Sequence, residues 1–165
     1  MPAKTTSGRT AALLLAPTAI FIAVGMLVLR MRIQPPTIPP YRIAPSASAA
    51  LEPDLRPGDR FSLTLEPVGQ LTGAITGRGF LLRGDEVRPI DPEFLVDRDG
   101  TIHVAGDVGK LFAGVPPGQW EVAIAVGRPE TLPTSPRDVL RARDADGGPS
   151  SAAWWLVRQR VRLEP

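Results

Sequence analysis

From residue 55 onward, apolar and polar residues alternate with a period of two, as expected of strands packed on one face. Phe61, Leu63 and Leu65 alternate with Ser62, Thr64 and Glu66 after a Pro57-Gly58-Asp59 turn. Residues 75–83 predict a second strand. Gly77 and Gly79 leave one of its faces without side chains, which suits a bulge or the close approach of another sheet. Residues 94–96 and 101–105 predict a hairpin around Asp97-Arg98-Asp99-Gly100. Residues 110–113 predict one helical turn. After the Pro116-Pro117-Gly118 turn, Trp120, Val122, Ile124 and Val126 share one strand face, and Glu121, Ala123 and Ala125 share the other. Ser135 as N-cap, Pro136 at the first helical position and Asp138 in the first turn predict a short helix to about Arg143. A last strand over 154–163 sets Trp155, Val157, Val161 and Leu163 against Arg158, Arg160 and Arg162.

About seven short strands and one short helix in 55–165, separated by turns, predict an all-β fold, a small immunoglobulin-like β-sandwich. The first part of the chain is different. Residues 11–29 carry no charge, and ten of them are Leu, Ile, Val or Phe. At about 1.5 Å per residue this helix would be roughly 28 Å long, close to a bilayer's ~30 Å hydrocarbon core. A cleaved signal peptide is the rival expectation. Its apolar region is usually 7–15 residues, and Arg30-Met31-Arg32 occupies the place where small cleavage-site residues belong. Five prolines at 35, 36, 39, 40 and 45 predict an extended stalk, able to reach roughly 55 Å at ~3.1 Å per residue. The expected order is a cytosolic head over 1–10, a transmembrane signal anchor over 11–32, a Pro-rich stalk over 33–54 and the β-sandwich over 55–165. With so short a head, the expected orientation is N-terminus inside, body outside.

The charge follows the same division. Residues 1–50 hold Lys4, Arg9, Arg30, Arg32 and Arg42 and no acid; the remaining 14 bases share 51–165 with all 17 acids. The basic pI of 9.7 therefore belongs to the N-terminal segment. A mildly acidic body is a poor ligand for a phosphate backbone, so no nucleic-acid partner is expected. Arginine outnumbers lysine 17 to 2, which fits a GC-rich bacterial genome. With no cysteine and one histidine, disulfides, thiol catalysis and multi-histidine metal sites are excluded. No cofactor is expected.

The segment PPGQWEVAIAV resembles the penultimate strand of bacterial extracytoplasmic immunoglobulin-like or prealbumin-like modules. The longer run, from RPGDRFSLTLEP through GFLLRGDEVRP and DRDGTIHVAG to GVPPGQWEVAIAVGRP, resembles the outer domains of single-pass bacterial anti-sigma-like proteins. That resemblance implies an outer module of a transmembrane signalling system. Sigma-factor binding is not carried over, because the ten-residue head has neither the His nor the Cys of the zinc-binding type.

Candidate chemistry is sparse. Alternation turns His103 away from Ile102 and Val104 toward solvent, and no serine stands on a nucleophile elbow beside it. Asp97-x-Asp99-Gly100 begins like a calcium loop, but positions 6 and 12 of that loop hold Ile102 and Val108, so a hairpin turn is favoured. Gly77-Arg78-Gly79 lacks the third glycine of a phosphate-cradling loop, and Arg83-Gly84-Asp85 reads as a turn. The distinctive feature is the stripe of Arg158, Arg160 and Arg162, at about 7 Å spacing on one strand face. It predicts either a partner-binding surface or a solvated face matched by neighbouring acids. The expected function is a non-catalytic, membrane-tethered binding module at the bacterial inner membrane. A carboxylate-based envelope hydrolase is the alternative.

Overall fold

The computed structural model describes residues 38–45, 52–145 and 153–165. The expected head and anchor, and residues 33–37 and 46–51 of the expected stalk, lie outside them. Among the described residues no helix is long and apolar enough to cross a membrane. In chain order the described elements are β1 (Tyr41–Ile43), β2 (Asp54–Leu55), β3 (Arg60–Pro67), β4 (Thr76–Arg83), β5 (Glu86–Ile90), β6 (Glu93–Val96) and β7 (Ile102–Asp107). Helix α1 (Val108–Leu111), β8 (Gly118–Gly127), α2 (Pro136–Asp144) and β9 (Trp154–Leu163) follow. The strands form a four-stranded sheet, β1-β3-β7-β6, and a five-stranded sheet, β2-β9-β8-β4-β5. Every pairing is antiparallel except β2 with β9.

The period-two pattern explains the layers. Phe61, Leu63 and Leu65 of β3, with Ile102 and Val104 of β7, meet Trp120, Val122, Ile124 and Val126 of β8 and Val157, Val161 and Leu163 of β9 in one core. Hydrophobic burial between the two inner faces is what holds the sheets together. Gly77 makes the close approach possible: a Cβ there would lie 2.4 Å from Cε1 of Phe94 in the opposite sheet. The other face of β8 is also covered. Its Ala123 and Ala125 leave room for α2, whose Val139 and Ala142 pack over Phe80, Trp154 and Leu156 in a second apolar cluster. The N-cap of α2 forms as expected, with Ser135 Oγ accepting the Arg137 N–H at 3.2 Å. The 97–100 turn closes with the Asp97 N–H on the Thr101 carbonyl at 2.9 Å, and Gly100 takes a φ of 89°.

Two expectations change. Part of the 33–54 stretch belongs to the body. Ile38 is 4% exposed, and its carbonyl accepts the Trp155 indole N–H at 2.8 Å. Tyr41 is 8% exposed, and its hydroxyl donates to the Gly100 carbonyl at 3.0 Å. Burial, then the nearby Asp99 charge, pushes the Tyr41 phenol up to about 12. The prolines on either side of Tyr41–Ile43 forbid a helix but are tolerated on an edge strand, which β1 is. The described strands also number nine, not seven. β1, β2 and the Pro89-containing edge strand β5 are too short or too irregular to announce themselves by alternation.

Candidate functional site

Strand β9 does carry its arginines on one face. In the ladder with β8, Arg158 stands opposite Ala123, Arg160 opposite Glu121 and Arg162 opposite Gln119. The same outer face bears Trp154 and Leu156, which α2 covers. The helix therefore covers the Trp154 end of this face, and among the described residues no helix covers the arginine end. There the surface forms an open groove of about 330 Å³, walled by Arg83, Arg143, Arg158 and Arg160 and by Glu52 and Glu121. A second open groove of about 660 Å³ runs along β9 beside Tyr41 and Ile43, and Glu52 and Glu121 line it too.

The arginines of this region are held differently. Arg158 Nη1 lies 3.6 Å from Glu121 Oε1. Arg162 Nε lies 3.9 Å from Asp54 Oδ1, a consequence of the parallel β2–β9 register. Arg160 faces Glu121 directly across the ladder, yet Glu121 turns diagonally to Arg158. Among the described residues Arg160 has no ion pair. Arg143 sits in the last turn of α2, where a cation complements the helix dipole. It donates to the Gly84 carbonyl and lies 3.0 Å from Asp144 and 3.7 Å from Asp85, tying the helix to the β4–β5 turn. Arg83 lies 4.1 Å from the centre of the Trp120 ring and 3.2 Å from Glu86. The hydrogen bond from Arg88, reinforced by Arg83, holds the Glu86 carboxyl below its ordinary range. Trp120 is itself 3% exposed, and its indole N–H donates to the Pro116 carbonyl at 2.9 Å.

The other candidates resolve into local structure. His103 lies on the outer face of the four-stranded sheet, with Nδ1 3.3 Å from Thr64 Oγ1 and Nε2 3.0 Å from Asp97 Oδ2. This is a hydroxyl–imidazole–carboxylate line that the sequence did not announce. Thr64 sits mid-strand, opposite His103 in the β3–β7 ladder, with its carbonyl accepting the Ala44 N–H. Asp99 accepts the Thr101 N–H, which holds its carboxyl below the ordinary range, and Asp107 caps α1 through Lys110. The acids of the calcium-like stretch are thus engaged apart from one another, Asp97 with His103, Asp99 with the Thr101 N–H and Asp107 at the start of α1. Among the described residues no three metal-ligating side chains come together. Arg83-Gly84-Asp85 forms the β4–β5 turn, with Gly84 at a φ of 57°.

Sequence reasoning located the β9 stripe but missed Arg83, Arg143 and Glu121 as its companions. Only the β4–β8–β9 register brings Leu82, Glu121 and Arg160 into one row, and no local signal encodes that register. No protein-family model matches the chain, and no curated protein matches it.

Proposed function

We propose that the chain is a non-catalytic, membrane-tethered interaction module. Residues 11–29 hold it in the bacterial inner membrane, and the sheet body stands outside the cytoplasm. There it docks a protein partner of an envelope or transmembrane signalling complex through Arg158, Arg160 and Arg162. The observation that carries this reading is the arginine end of a sheet face, left without a covering helix among the described residues while α2 covers the other end. A stripe serving only as a solvated face would be expected to pair each base with an acid, and Arg160 forms no ion pair among the described residues.

Strand order supports the immunoglobulin-like form of the sandwich. Reading β1, β3, β7 and β6 as A, B, E and D, and β9, β8, β4 and β5 as G, F, C and C′, both sheets follow the immunoglobulin sequence of neighbours. In such modules loops and sheet faces carry recognition, while the sandwich serves as the rigid support. Membrane fractionation tests the tether. The full chain should resist high-salt and alkaline washes, and a chain lacking residues 1–32 should appear in the soluble fraction; full-length protein in that fraction would contradict the proposal.

One observation favours the hydrolase reading: Glu52 and Glu121 line both grooves. Glu121 is engaged by Arg158, and the grooves are open, which suits recognition better than water-excluded acid–base chemistry. Glu121→Gln would abolish a carboxylate-dependent hydrolysis and would leave a docking surface in place.

A further inference from the structure

We infer that the arginine groove receives an extended acidic segment of a partner protein, whose alternate carboxylates pair with Arg158 and Arg160. This rests on the reading of the β9 face as a docking surface and names the chemistry of what docks. The outer-face wall of the groove sets Arg143, Arg158 and Arg160 beside Glu52 and Glu121, on a body that is otherwise mildly acidic. Arg160 is the one guanidinium of this groove without an ion pair among the described residues, and a partner's carboxylate would complement it.

The spacing selects the form of that charge. Arg158 and Arg160 are two residues apart on a regular strand, about 7 Å, which is also the spacing of alternate side chains in an extended peptide. A single phosphate needs guanidiniums converging on one point. Here Arg143 is tied to the β4–β5 turn and Arg83 to Glu86 and the Trp120 ring, so neither is free to converge. A lipid headgroup would bring acyl chains that need apolar side chains beside the basic strip. The large exposed hydrophobics among the described residues are Val68, Leu95 and Val96, none of which lies on the five-stranded sheet. Glu121 acts as an internal competitor. It occupies Arg158 in the free state, and an incoming carboxylate must displace it or take Arg160 first.

The test uses the full chain in detergent and a fluorescein-labelled eight-residue peptide alternating Glu and Thr, followed by fluorescence anisotropy. Arg160→Gln should weaken binding at least about threefold, and Arg158→Gln with Arg160→Gln about tenfold or more, at low ionic strength where such contacts are strongest. Arg162→Gln, whose partner is Asp54, should matter least. Glu121→Gln should tighten binding, the opposite of what a general electrostatic weakening or a misfolded variant would give. Melting temperatures close to the parent's would show that these exposed replacements leave the fold intact. Equal binding of the peptide with Gln in place of Glu, or an unaffected double variant, would overturn the inference. So would tighter binding of inorganic phosphate or phosphatidylglycerol vesicles through the same arginines. If the peptide fails while native partners are still lost from the arginine variants, the docking reading stands and only the acidic segment is refuted. If both fail, the docking reading falls as well.

Discussion

Replacing Trp120 with alanine removes the side chain that closes one end of the core. The indole is 3% exposed, packs among Val122, Leu81 and their neighbours, and is covered by Arg83 at 4.1 Å. Truncating a buried Trp to Ala costs about 3–5 kcal/mol through lost transfer free energy and the residual cavity. The hydrogen bond to Pro116 and the cation–π contact, each of order 1 kcal/mol, fall within that range and do not add a separate large loss. A domain of this size has about 5–15 kcal/mol in hand, so the variant should be marginal at room temperature. Urea unfolding of residues 36–165, the compact unit, followed by far-ultraviolet circular dichroism, reads the effect. With a slope of about 1.5 kcal/mol per molar, the midpoint should fall by roughly 2–3 M. Trp120→Phe keeps the ring but loses the N–H donor and should cost only about 1–2 kcal/mol. A loss below about 1 kcal/mol for Trp120→Ala would refute the assignment of this ring as a core plug.

Two further outcomes are expected. Tyr41 is the sole tyrosine, so absorbance near 295 nm follows its phenol directly; the folded protein should titrate at about 12 and the urea-unfolded chain near 10. Because the folded value is raised and the protonated phenol is the neutral form, this stabilisation is complete below pH 10 and is lost as pH rises through about 12. A folded midpoint at 10 would contradict the docking of β1 onto the body. Gly77→Val should destabilise by about 1–3 kcal/mol or more in thermal melts, because its Cβ would collide with the Phe94 ring, whereas Gly58→Ala, with open space around it, should change little.

Legibility in the sequence followed the physics of each element. β3, β8 and β9 are long, alternate strictly and bury one face against the other sheet, so their pattern is local and readable. Helix α2 carries its start signal in Ser135, Pro136 and Asp138. β1, β2 and β5 exist because a partner strand is there to pair with, and two to five residues cannot carry a period. The same distinction divides the site. Arg158, Arg160 and Arg162 share one strand and could be seen together. Arg83 and Arg143 join them from β4 and α2, and Thr64 and Asp97 reach His103 from β3 and the 97–100 turn, through registers and packing that no short motif records. The two glycines of β4 were legible as a bare face; that Phe94 from across the core fills the space at Gly77, and Ile90 and Pro92 the space at Gly79, was not.

The central claim is that the arginine face docks a protein partner while the chain is anchored in the membrane. Its most direct test is crosslinking and co-purification of the full chain from membranes, compared with the variant in which Arg158, Arg160 and Arg162 are all Gln. Arg158 and Arg162 form partly exposed ion pairs, worth about 0–1 kcal/mol each, so the variant should fold and stay in the membrane fraction. The account predicts that it loses the partner, and that the parent loses the same partner as salt rises. An unchanged set of partners at every salt concentration, with membrane residence and melting temperature also unchanged, would contradict it.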